Sequence, residues 1–210
     1  MKRVSYEVIS AFRRIALTVA LIVGSVGLRA ADDGFDPLSA SIEENINTPK
    51  VETKQKSKVV ASQGHLERSM RSAGYKVSRV RSGEVVLVTI PLSELFSPNS
   101  VQLSDRASVR LQPLVPYVKR TDNYKIVIAV HSDNTGDDDY ADALTSDRAA
   151  AVDEYFYHMC GSDYSGIIPY GIGADEPVAP NTGAANRAAN RRLEIYFIPT
   201  KNLIEKAQKR

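Results

Sequence analysis

Two oppositely charged residues, Asp133 and Arg148, have the setting of a small-ligand site. Asp133 belongs to the stretch His131-Ser-Asp-Asn-Thr-Gly136, which directly follows a strongly apolar segment and predicts a sharp turn after a strand. Arg148 lies near the start of the next predicted helix. A carboxylate and a guanidinium that converge on one cleft can bind a zwitterion, because the first accepts from an ammonium group and the second pairs with a carboxylate through two hydrogen bonds.

Both residues also have simpler interpretations. Asp133 can act only as a turn or helix cap, and Arg148 can pair on the surface with Asp147 or Glu154, since exposed charges are mostly solvated. Asp133 and the acidic residues 137–139 suggest a calcium loop, but they lack the alternating register and the distal Glu of such loops. We therefore predict that the site holds no metal.

Other motifs that could support catalysis are incomplete. No Ser or Cys is placed beside His131 in an obvious nucleophile motif, which favours a structural role at a strand end. Gly171-Ile-Gly173 lacks the third Gly of a dinucleotide-binding loop and does not open a helix. Cys160 is the single cysteine, so no internal disulfide can form, and a buried apolar role is favoured. The chain is therefore predicted to be no enzyme and to need no cofactor.

Strands that alternate with helices must position these side chains. The segment 124–130 is apolar on both faces, which predicts a central strand covered by helices. The helix predicted over 140–159 has an inner apolar stripe and ends at Gly161. Two extended runs, 75–80 and 84–90, predict a hairpin.

A second helix is predicted after Ser104 as its N-cap, with Pro113 and Pro116 bending or interrupting it. Short strands are predicted over 167–170 and 192–197. The predicted fold class is α/β, an α+β sandwich in which helices back a mixed sheet.

The first 30 residues have the pattern of a secretory signal peptide. Basic residues precede an uncharged, mostly apolar run over 15–28, and small residues stand before an acidic pair. The run is shorter than the roughly 17–25 residues of a spanning helix, so cleavage after Ala30 or Ala31 is predicted. An uncleaved anchor is the alternative, because the basic region is long.

The net charge depends on this N-terminal segment. The whole chain has 27 Lys and Arg against 25 Asp and Glu, a net charge of +2. Residues 1–30 hold five of the basic residues and one of the acidic ones, so a mature chain would have 22 basic and 24 acidic residues. A nucleic-acid partner, which would need a basic face on the folded part, is not expected.

Composition divides the rest of the chain. Residues 31–62 are rich in Ser, Asn, Thr, Lys and Glu, and they predict a flexible linker because they bury too little apolar surface to offset the entropy of ordering them. A short helix and strand over 63–79 lead into a domain over 80–199, and a charged C-terminal tail follows over 200–210.

Four motifs resemble the OmpA-like peptidoglycan-binding family, which includes peptidoglycan-associated lipoproteins and the flagellar stator protein MotB. The family has a His-Thr-Asp-x-x-Gly turn, an Asn-x-x-Leu-Ser-x-x-Arg-Ala helix start, a Gly-x-Gly strand end and a terminal Asn-Arg-Arg-Val-Glu. The matching stretches are, in order, His131-Ser-Asp-Asn-Thr-Gly136, Ala141-Asp-Ala-Leu-Thr-Ser-Asp-Arg-Ala149, Gly171-Ile-Gly173 and Asn190-Arg-Arg-Leu-Glu194. The resemblance covers residues 80–199.

The resemblance implies a β-α-β-α-β-β fold and a ligand, the diaminopimelate of the peptidoglycan stem peptide. It implies that Asp133 accepts from the ligand ammonium and Arg148 pairs with the ligand carboxylate, while one of the two arginines 191 and 192 lines the same pocket. The backbone of residues 95–97 would also face the ligand. The predicted contacts are Asp133, Arg148, Phe96, Ser97, Asn134, Thr135, Leu144, Arg191 and Arg192.

Three positions depart from the family pattern. The Asn at the helix start is Ala141 here, which removes one polar group near the ligand. The family's Phe-Asp element reads Phe96-Ser97, and the Gly before its Arg-x-x-Asn-Arg-Arg is Asn186. The Asn186 change is mild because Asn tolerates positive φ, whereas Ala141 is expected to weaken binding, because it leaves a neighbouring polar group unpaired.

These patterns predict a periplasmic protein, associated with the cell wall at the outer membrane, that binds peptidoglycan without covalent chemistry. Membrane proteins of the envelope would be further partners. One alternative is a wall-binding subunit of a larger machine, anchored in the inner membrane by residues 15–28. Another is a domain that has lost wall binding and serves as a scaffold for protein partners.

Overall fold

The computed structural model describes residues 35–119, 122–164 and 166–209. The predicted signal peptide over 1–30 and the first residues of the predicted linker therefore lie outside the described part of the chain. Within the described residues, no helix has the length and apolar character needed to span a membrane.

Helices and strands alternate along most of the described chain. The strands are β1 (Lys76–Val80), β2 (Val85–Pro91), β3 (Tyr124–His131), β4 (Ile168–Gly173) and β5 (Arg192–Pro199). The helices are α1 (Ile42–Asn47), α2 (Thr53–Ser72), α3 (Ala107–Leu111), α4 (Val115–Val118), α5 (Asp138–Cys160), α6 (Ala184–Asn190) and α7 (Lys201–Gln208). The predicted hairpin, central strand and long helix are confirmed.

The described strands form one mixed sheet of order β1-β2-β5-β3-β4. β3 pairs with β4 in parallel, and the other neighbours are antiparallel. β3 lies between β5 and β4, which confirms it as an interior strand. The predicted α/β class, a mixed sheet backed by helices, is also confirmed.

The strand period of two sends alternate side chains to opposite faces of the sheet. On one face, Ile126, Ile128 and Val130 of β3 join the main core with Val152 and Phe156 of α5. On the other face, a smaller cluster is covered by partly buried side chains from α1. Both faces are therefore covered, as the apolar character of the central strand predicts.

The helix predicted after Ser104 is broken as expected but begins later. α3 begins at Ala107, and a short 3₁₀ turn that contains Pro113 separates it from α4. The Ser104 side chain does not cap this helix. Instead, the backbone carbonyl of Ser104 accepts from the Ala107 amide at 2.9 Å. The proline explains the break, because it lacks the amide hydrogen that a continuous helix needs.

The prediction of a flexible linker over 31–62 is wrong for much of this segment. α1 carries a complete capping box between Ser41 and Glu44, and α2 begins at Thr53, ten residues before the predicted helix. Asn45 is fully buried and donates to the Tyr170 hydroxyl at 2.7 Å. The buried Asn45 thus forms a hydrogen bond with a residue of the sheet. Composition alone cannot predict such a contact between distant segments.

The charged tail predicted over 200–210 is also corrected. Thr200 caps α7 by accepting from the Leu203 amide, and Ile204 and Ala207 are buried. These two side chains form a small apolar cluster with Val51 and Val59. α7 therefore packs on α2 and extends the folded unit beyond residue 199.

Candidate functional site

The loop after β3 places the Asp133 carboxylate at the end of the sheet. Asp133 is buried, and its Oδ1 accepts from the Thr135 amide at 2.9 Å, a turn in which the side chain folds over its own backbone. Asp137 then caps α5 by accepting from the Tyr140 amide at 3.2 Å. The turn-cap interpretation of Asp133 is therefore correct for one of its two carboxylate oxygens.

Close packing between β4 and α5 fixes where this loop can lie. A Cβ on Gly171 would stand 2.3 Å from the Ser146 amide nitrogen, and one on Gly173 would stand 2.0 Å from an Asp142 carboxylate oxygen. The Gly173 amide donates to the Thr145 hydroxyl at 3.0 Å. The Gly-x-Gly motif thus serves a close approach between elements and opens no phosphate loop.

The second oxygen of Asp133 pairs with Arg191. Arg191 Nη1 donates to Asp133 Oδ2, and the Arg191 side chain remains 44% exposed while that of Asp133 is buried. The Arg191 backbone carbonyl accepts from the Leu92 amide at 3.0 Å, which fixes the start of its side chain. The Arg191 side chain is therefore fixed at its base by the backbone, and its tip is partly exposed while it pairs with Asp133.

The Asp133 carboxyl is ionised at neutral pH. Burial by itself would raise the pKa of Asp133, but hydrogen bonds from Thr135 and Arg191 outweigh burial and hold the pKa below its ordinary value. The negative charge is therefore available to a cation that reaches the site.

Arg148 reaches across from α5 to the loop after β2. It is buried, and it donates from Nε to the Ser100 carbonyl at 2.8 Å and from Nη2 to the Ser97 carbonyl at 3.3 Å. Its guanidinium carbon lies 5.0 Å from the centre of the Phe96 ring, a cation–π arrangement. Residues 96–100 thus hold the guanidinium through backbone carbonyls and one aromatic face.

No carboxylate balances this charge in the described part of the chain. Arg148 forms no ion pair there, neither with Asp147 nor with Glu154, and no acceptor bonds to its Nη1. Burial lowers the pKa of Arg148. The nearby Tyr140 hydroxyl raises this pKa, and the positive charge of Arg191 lowers it further. A guanidinium still keeps its proton in proteins, so the site presents a fixed positive charge with a free donor.

Arg192 lies on the opposite face of the sheet from this site. It belongs to β5, where its neighbours on the same face are Glu194 and Tyr196. It is buried and donates from Nε to Glu194 at 2.7 Å, and the imidazole of His131 lies 3.4 Å from the same carboxylate. Arg191 thus lies beside Asp133, whereas Arg192 and His131 belong to a buried network on the opposite face of the sheet.

The remaining predicted contacts differ in their exposure. Asn134 and Thr135 are exposed on the loop, Leu144 is buried on α5 between the loop and Arg148, and Phe96 is buried under the guanidinium. Ser97 is exposed and contributes its carbonyl to Arg148.

Two residues of the site were missed by the sequence. The Ser100 carbonyl, which accepts from Arg148, gives no side-chain signal that could have revealed it. Asn190 is fully buried and bonds to the backbone of residues 178 and 179 and to the Asn181 side chain at 2.7 Å. Its place directly before the arginine pair, with Asn181 nine residues earlier, is the signal that could have found it.

Metal binding has no support in the geometry of the described residues. Across 35–119, 122–164 and 166–209, no three His, Cys, Asp or Glu side chains are placed to hold a metal ion together.

Comparison with known proteins places the site inside one family model. The OmpA family model matches residues 95–191. The chain is 30% identical over 134 residues to a protein of Escherichia coli named Probable lipoprotein YiaD, a match that covers 64% of this chain and 60% of that protein. It is 32% identical over 101 residues to the outer-membrane lipoprotein YfiB of Pseudomonas aeruginosa, covering 48% of this chain and 60% of that protein. The chain therefore spans less than two thirds of the length of these relatives.

Solved structures share the same fold. A MotB-like protein from Desulfovibrio vulgaris superposes with a TM-score of 0.59 at 22% identity, covering 70% of this chain and 96% of that one. The cell wall anchor of the T6SS from Pseudomonas aeruginosa superposes with a TM-score of 0.52 at 25% identity, covering 69% of this chain and 96% of that one.

Proposed function

We propose that this chain, in which residues 95–191 match the OmpA family model, binds peptidoglycan without covalent chemistry, through the diaminopimelate of the stem peptide. Diaminopimelate carries an ammonium group and a carboxylate on the same carbon, so it needs one anionic and one cationic partner a short distance apart. Asp133 and Arg148 supply these two charges on neighbouring elements.

The observation that carries this proposal is the unbalanced charge of Arg148. A buried guanidinium without a carboxylate partner is costly, and here only backbone carbonyls and a ring face it. A ligand carboxylate would supply the missing anion and accept from the free Nη1. This is the geometry in which an arginine binds a carboxylate most strongly, since both groups are planar and can share two hydrogen bonds.

The ammonium group of the ligand would bind at Asp133. An ionised carboxylate has about four lone-pair sites, and Thr135 and Arg191 use two of them here. The ammonium can therefore join Arg191 or displace its exposed tip. Arg191 thus neutralises Asp133 while the site is free.

The biological role that follows is attachment of this protein to the cell wall in the bacterial envelope. The named relatives are lipoproteins, one of them of the outer membrane, and one solved neighbour is a cell wall anchor. These names support an envelope location for this chain as well. The wall contact would hold or organise the envelope without a chemical step.

The test is co-sedimentation of the full chain with purified peptidoglycan that contains diaminopimelate. We expect the wild type to pellet with the wall and free diaminopimelate to release it. Arg148→Ala and Asp133→Ala should stay in solution, because each removes one of the two charges. Arg68→Ala and Glu205→Gln, which change exposed charges on α2 and α7, are the matched controls and should pellet as the wild type does.

A wild type that stays in solution would overturn the proposal. So would variants of Arg148 and Asp133 that pellet as well as the controls, since wall contact would then lie elsewhere on the surface. Circular dichroism on each variant separates a lost charge from a lost fold.

A further inference from the structure

Lysines are concentrated in two segments that lie far apart in the sequence. Residues 50–58 contain four lysines and one glutamate, and residues 201–209 contain three lysines and one glutamate. The two segments together have a net charge of +5, whereas residues 31–210 as a whole hold 22 basic and 24 acidic residues. Positive charge is therefore concentrated at two places in a chain that is otherwise acidic.

The fold brings these two segments into contact. One apolar cluster joins α7 to α2 and to the residues before it, and contains Val51, Val59, Ile204 and Ala207. Lys58 Nζ donates to the Gln208 carbonyl at 2.8 Å, so the first segment reaches the C-terminal end of α7. All seven lysines of the two segments are exposed. We call these lysines of residues 50–58 and 201–209 the basic patch.

Most of the basic patch has no carboxylate partner. Glu52 pairs with Lys54 at 2.9 Å, and Glu84 lies 3.5 Å from Lys56. The other five lysines form no ion pair within the described part of the chain. Glu205, the acidic residue of the second segment, is exposed and pairs with none of them there. The patch therefore presents unbalanced positive charge to the solvent.

The segment that carries the proposed ligand site has the opposite charge. Residues 133–176 contain eleven acidic residues and one basic residue, Arg148. A negatively charged surface would therefore attract α2 and α7 and repel the loop after β3 together with α5. Contact through the basic patch would leave Asp133 and Arg148 available to their own ligand, since no lysine of the patch bonds to either residue.

The chemistry of the patch favours a membrane surface over a pocket for a single phosphate. Every basic residue in the two segments is a lysine, a flexible point charge, whereas arginine offers the planar fork that binds one phosphate through two hydrogen bonds. Anionic lipids attract exposed clusters of about four to eight basic residues without a fixed geometry. The apolar run over 15–28 precedes the first segment and is predicted to bring the chain to a membrane, whether it is cleaved or kept.

We propose that the basic patch docks this protein onto an anionic phospholipid surface. The contact is electrostatic and involves no covalent step. It goes beyond the proposed function, because the patch shares no residue with the wall site and requires no peptidoglycan. With both contacts made, the protein would connect a membrane of the envelope to the cell wall.

The test is flotation of the full chain, as purified from cells, with two kinds of vesicle: phosphatidylcholine alone, and equal parts of phosphatidylcholine and phosphatidylglycerol. We expect the wild type to bind the anionic vesicles more tightly than the neutral ones. Added salt should remove this preference, because salt screens exposed charges.

Two double variants locate the contact. Lys54→Gln combined with Lys209→Gln should weaken binding to the anionic vesicles about 25-fold, about fivefold for each lysine lost, and leave binding to neutral vesicles unchanged. Lys76→Gln combined with Arg106→Gln is the matched control, because it removes the same charge from exposed positions outside the patch. The control should bind both kinds of vesicle as the wild type does, and co-sedimentation with peptidoglycan should be unchanged in both double variants.

Each other outcome counts against the inference. If the two double variants bind the anionic vesicles equally well, the basic patch is not the contact. If added salt leaves the preference for anionic vesicles intact, the apolar N-terminal segment carries the binding and the inference is wrong. A wild type that binds soluble polyphosphate as tightly as the anionic vesicles has a soluble polyanion as its partner, which also overturns it. The peptidoglycan result decides the proposed function separately.

Discussion

Arg148 and Arg191 show how one residue type takes two roles within one site. The Arg148 guanidinium is buried and fixed by the carbonyls of residues 97 and 100, whereas the Arg191 tip is exposed and paired with Asp133. A fixed charge can define where a ligand carboxylate binds. A partly exposed charge can balance Asp133 and still give way to a ligand ammonium.

Asp133 gives a prediction about the pH dependence of binding. Because the pKa of Asp133 lies below its ordinary value of 3.8, the carboxylate stays charged as the pH falls. Diaminopimelate binding should therefore be constant from about pH 7 to about pH 5, and it should weaken only below about pH 3.8, where an ordinary aspartate is already half protonated. Calorimetric titration at several pH values, at constant ionic strength, measures this profile.

Asp133→Asn is the reference for that profile, because it should bind weakly and show no carboxylate titration. A wild type that loses affinity already at about pH 5 would mean that burial outweighs the hydrogen bonds of Asp133.

Glu194 lies at the centre of the buried network behind the site. Burial by itself would raise its pKa, but the adjacent His131 imidazole and hydrogen bonds from Tyr196 and Arg192 lower the pKa of Glu194 to about 2. A carboxyl group with a lowered folded-state pKa stabilises the fold above its unfolded value and loses that contribution as the pH falls. The contribution of Glu194 is thus present above 4.5 and disappears towards pH 2.

We predict that Glu194→Gln lowers the free energy of unfolding by about 3 kcal/mol at neutral pH, because it leaves the Arg192 guanidinium buried without its anion. The difference from the wild type should shrink as the pH falls from 4.5 towards 2. Urea unfolding over that range measures it. Glu205→Gln, at an exposed position of α7, is the control, and a difference that is constant with pH would contradict the role of Glu194.

At the scale of elements, the site depends on how closely β4 approaches α5. α5 carries Arg148 and Tyr140, and its first turns lie against Gly171 and Gly173 of β4 with no space for a Cβ atom. Any side chain at Gly171 must push the helix away from the sheet. The position of Arg148 relative to the loop 96–100 would then change as well.

We predict that Gly171→Ala lowers the free energy of unfolding by about 2 kcal/mol or more, the usual cost of an overpacked core. It should also weaken wall binding more than its stability loss explains, since its Cβ would lie 2.3 Å from a backbone atom of α5. Urea unfolding and co-sedimentation measure the two effects.

Gly64→Ala in α2 is the matched control, because its Cβ would meet only the ends of the Arg68 and Arg79 side chains, at 3.3 and 3.5 Å. Removing a glycine from a helix interior should raise stability by roughly 0.5–1 kcal/mol. If Gly171→Ala behaves like Gly64→Ala, the close approach does not position the helix.

At the scale of the whole molecule, the N- and C-terminal parts of the described chain complete one folded unit. α2 and α7 enclose the apolar cluster of Val51, Val59, Ile204 and Ala207, and Lys58 donates to the Gln208 carbonyl at 2.8 Å. Among the described residues, these segments supply no hydrogen-bond partner to Arg148 or Asp133. They affect stability and should leave binding intact while the protein is folded.

We predict that Ile204→Ala lowers the free energy of unfolding by about 2 kcal/mol, because it removes buried methylene groups and leaves a cavity beside the fully buried Val59. Wall binding at low temperature should be unchanged. Lys201→Ala, on the exposed side of α7, should change stability by less than about 0.5 kcal/mol. An unfolding midpoint that Ile204→Ala does not shift would show that α7 adds nothing to the fold.

Local patterns in the sequence determined the strands, the long helix and the charged pair of the site. The apolar period along β3, the turn at Gly136 and the helix around Arg148 each depend on neighbours within a few residues. For that reason, the elements that carry Asp133 and Arg148 could be predicted from the sequence, whereas the ligand roles of the two residues rest on the family resemblance and stay predictions.

Only the tertiary structure decided between Arg191 and Arg192. The two are adjacent in the sequence, and their roles diverge because Arg192 is the first residue of β5, opposite Pro91 and His131 in the sheet. That register follows from the insertion of β5 between β2 and β3. Such an arrangement depends on contacts between distant segments.

The linker and the tail were mispredicted for the same physical reason. Each segment has few apolar side chains, and composition alone suggests that neither can offset its ordering entropy. Their partners lie far away in the sequence: Asn45 bonds to Tyr170, and Lys58 to residue 208. The sequence determined which local elements form, whereas distant pairing decided which segments join the fold and which arginine pairs with Asp133.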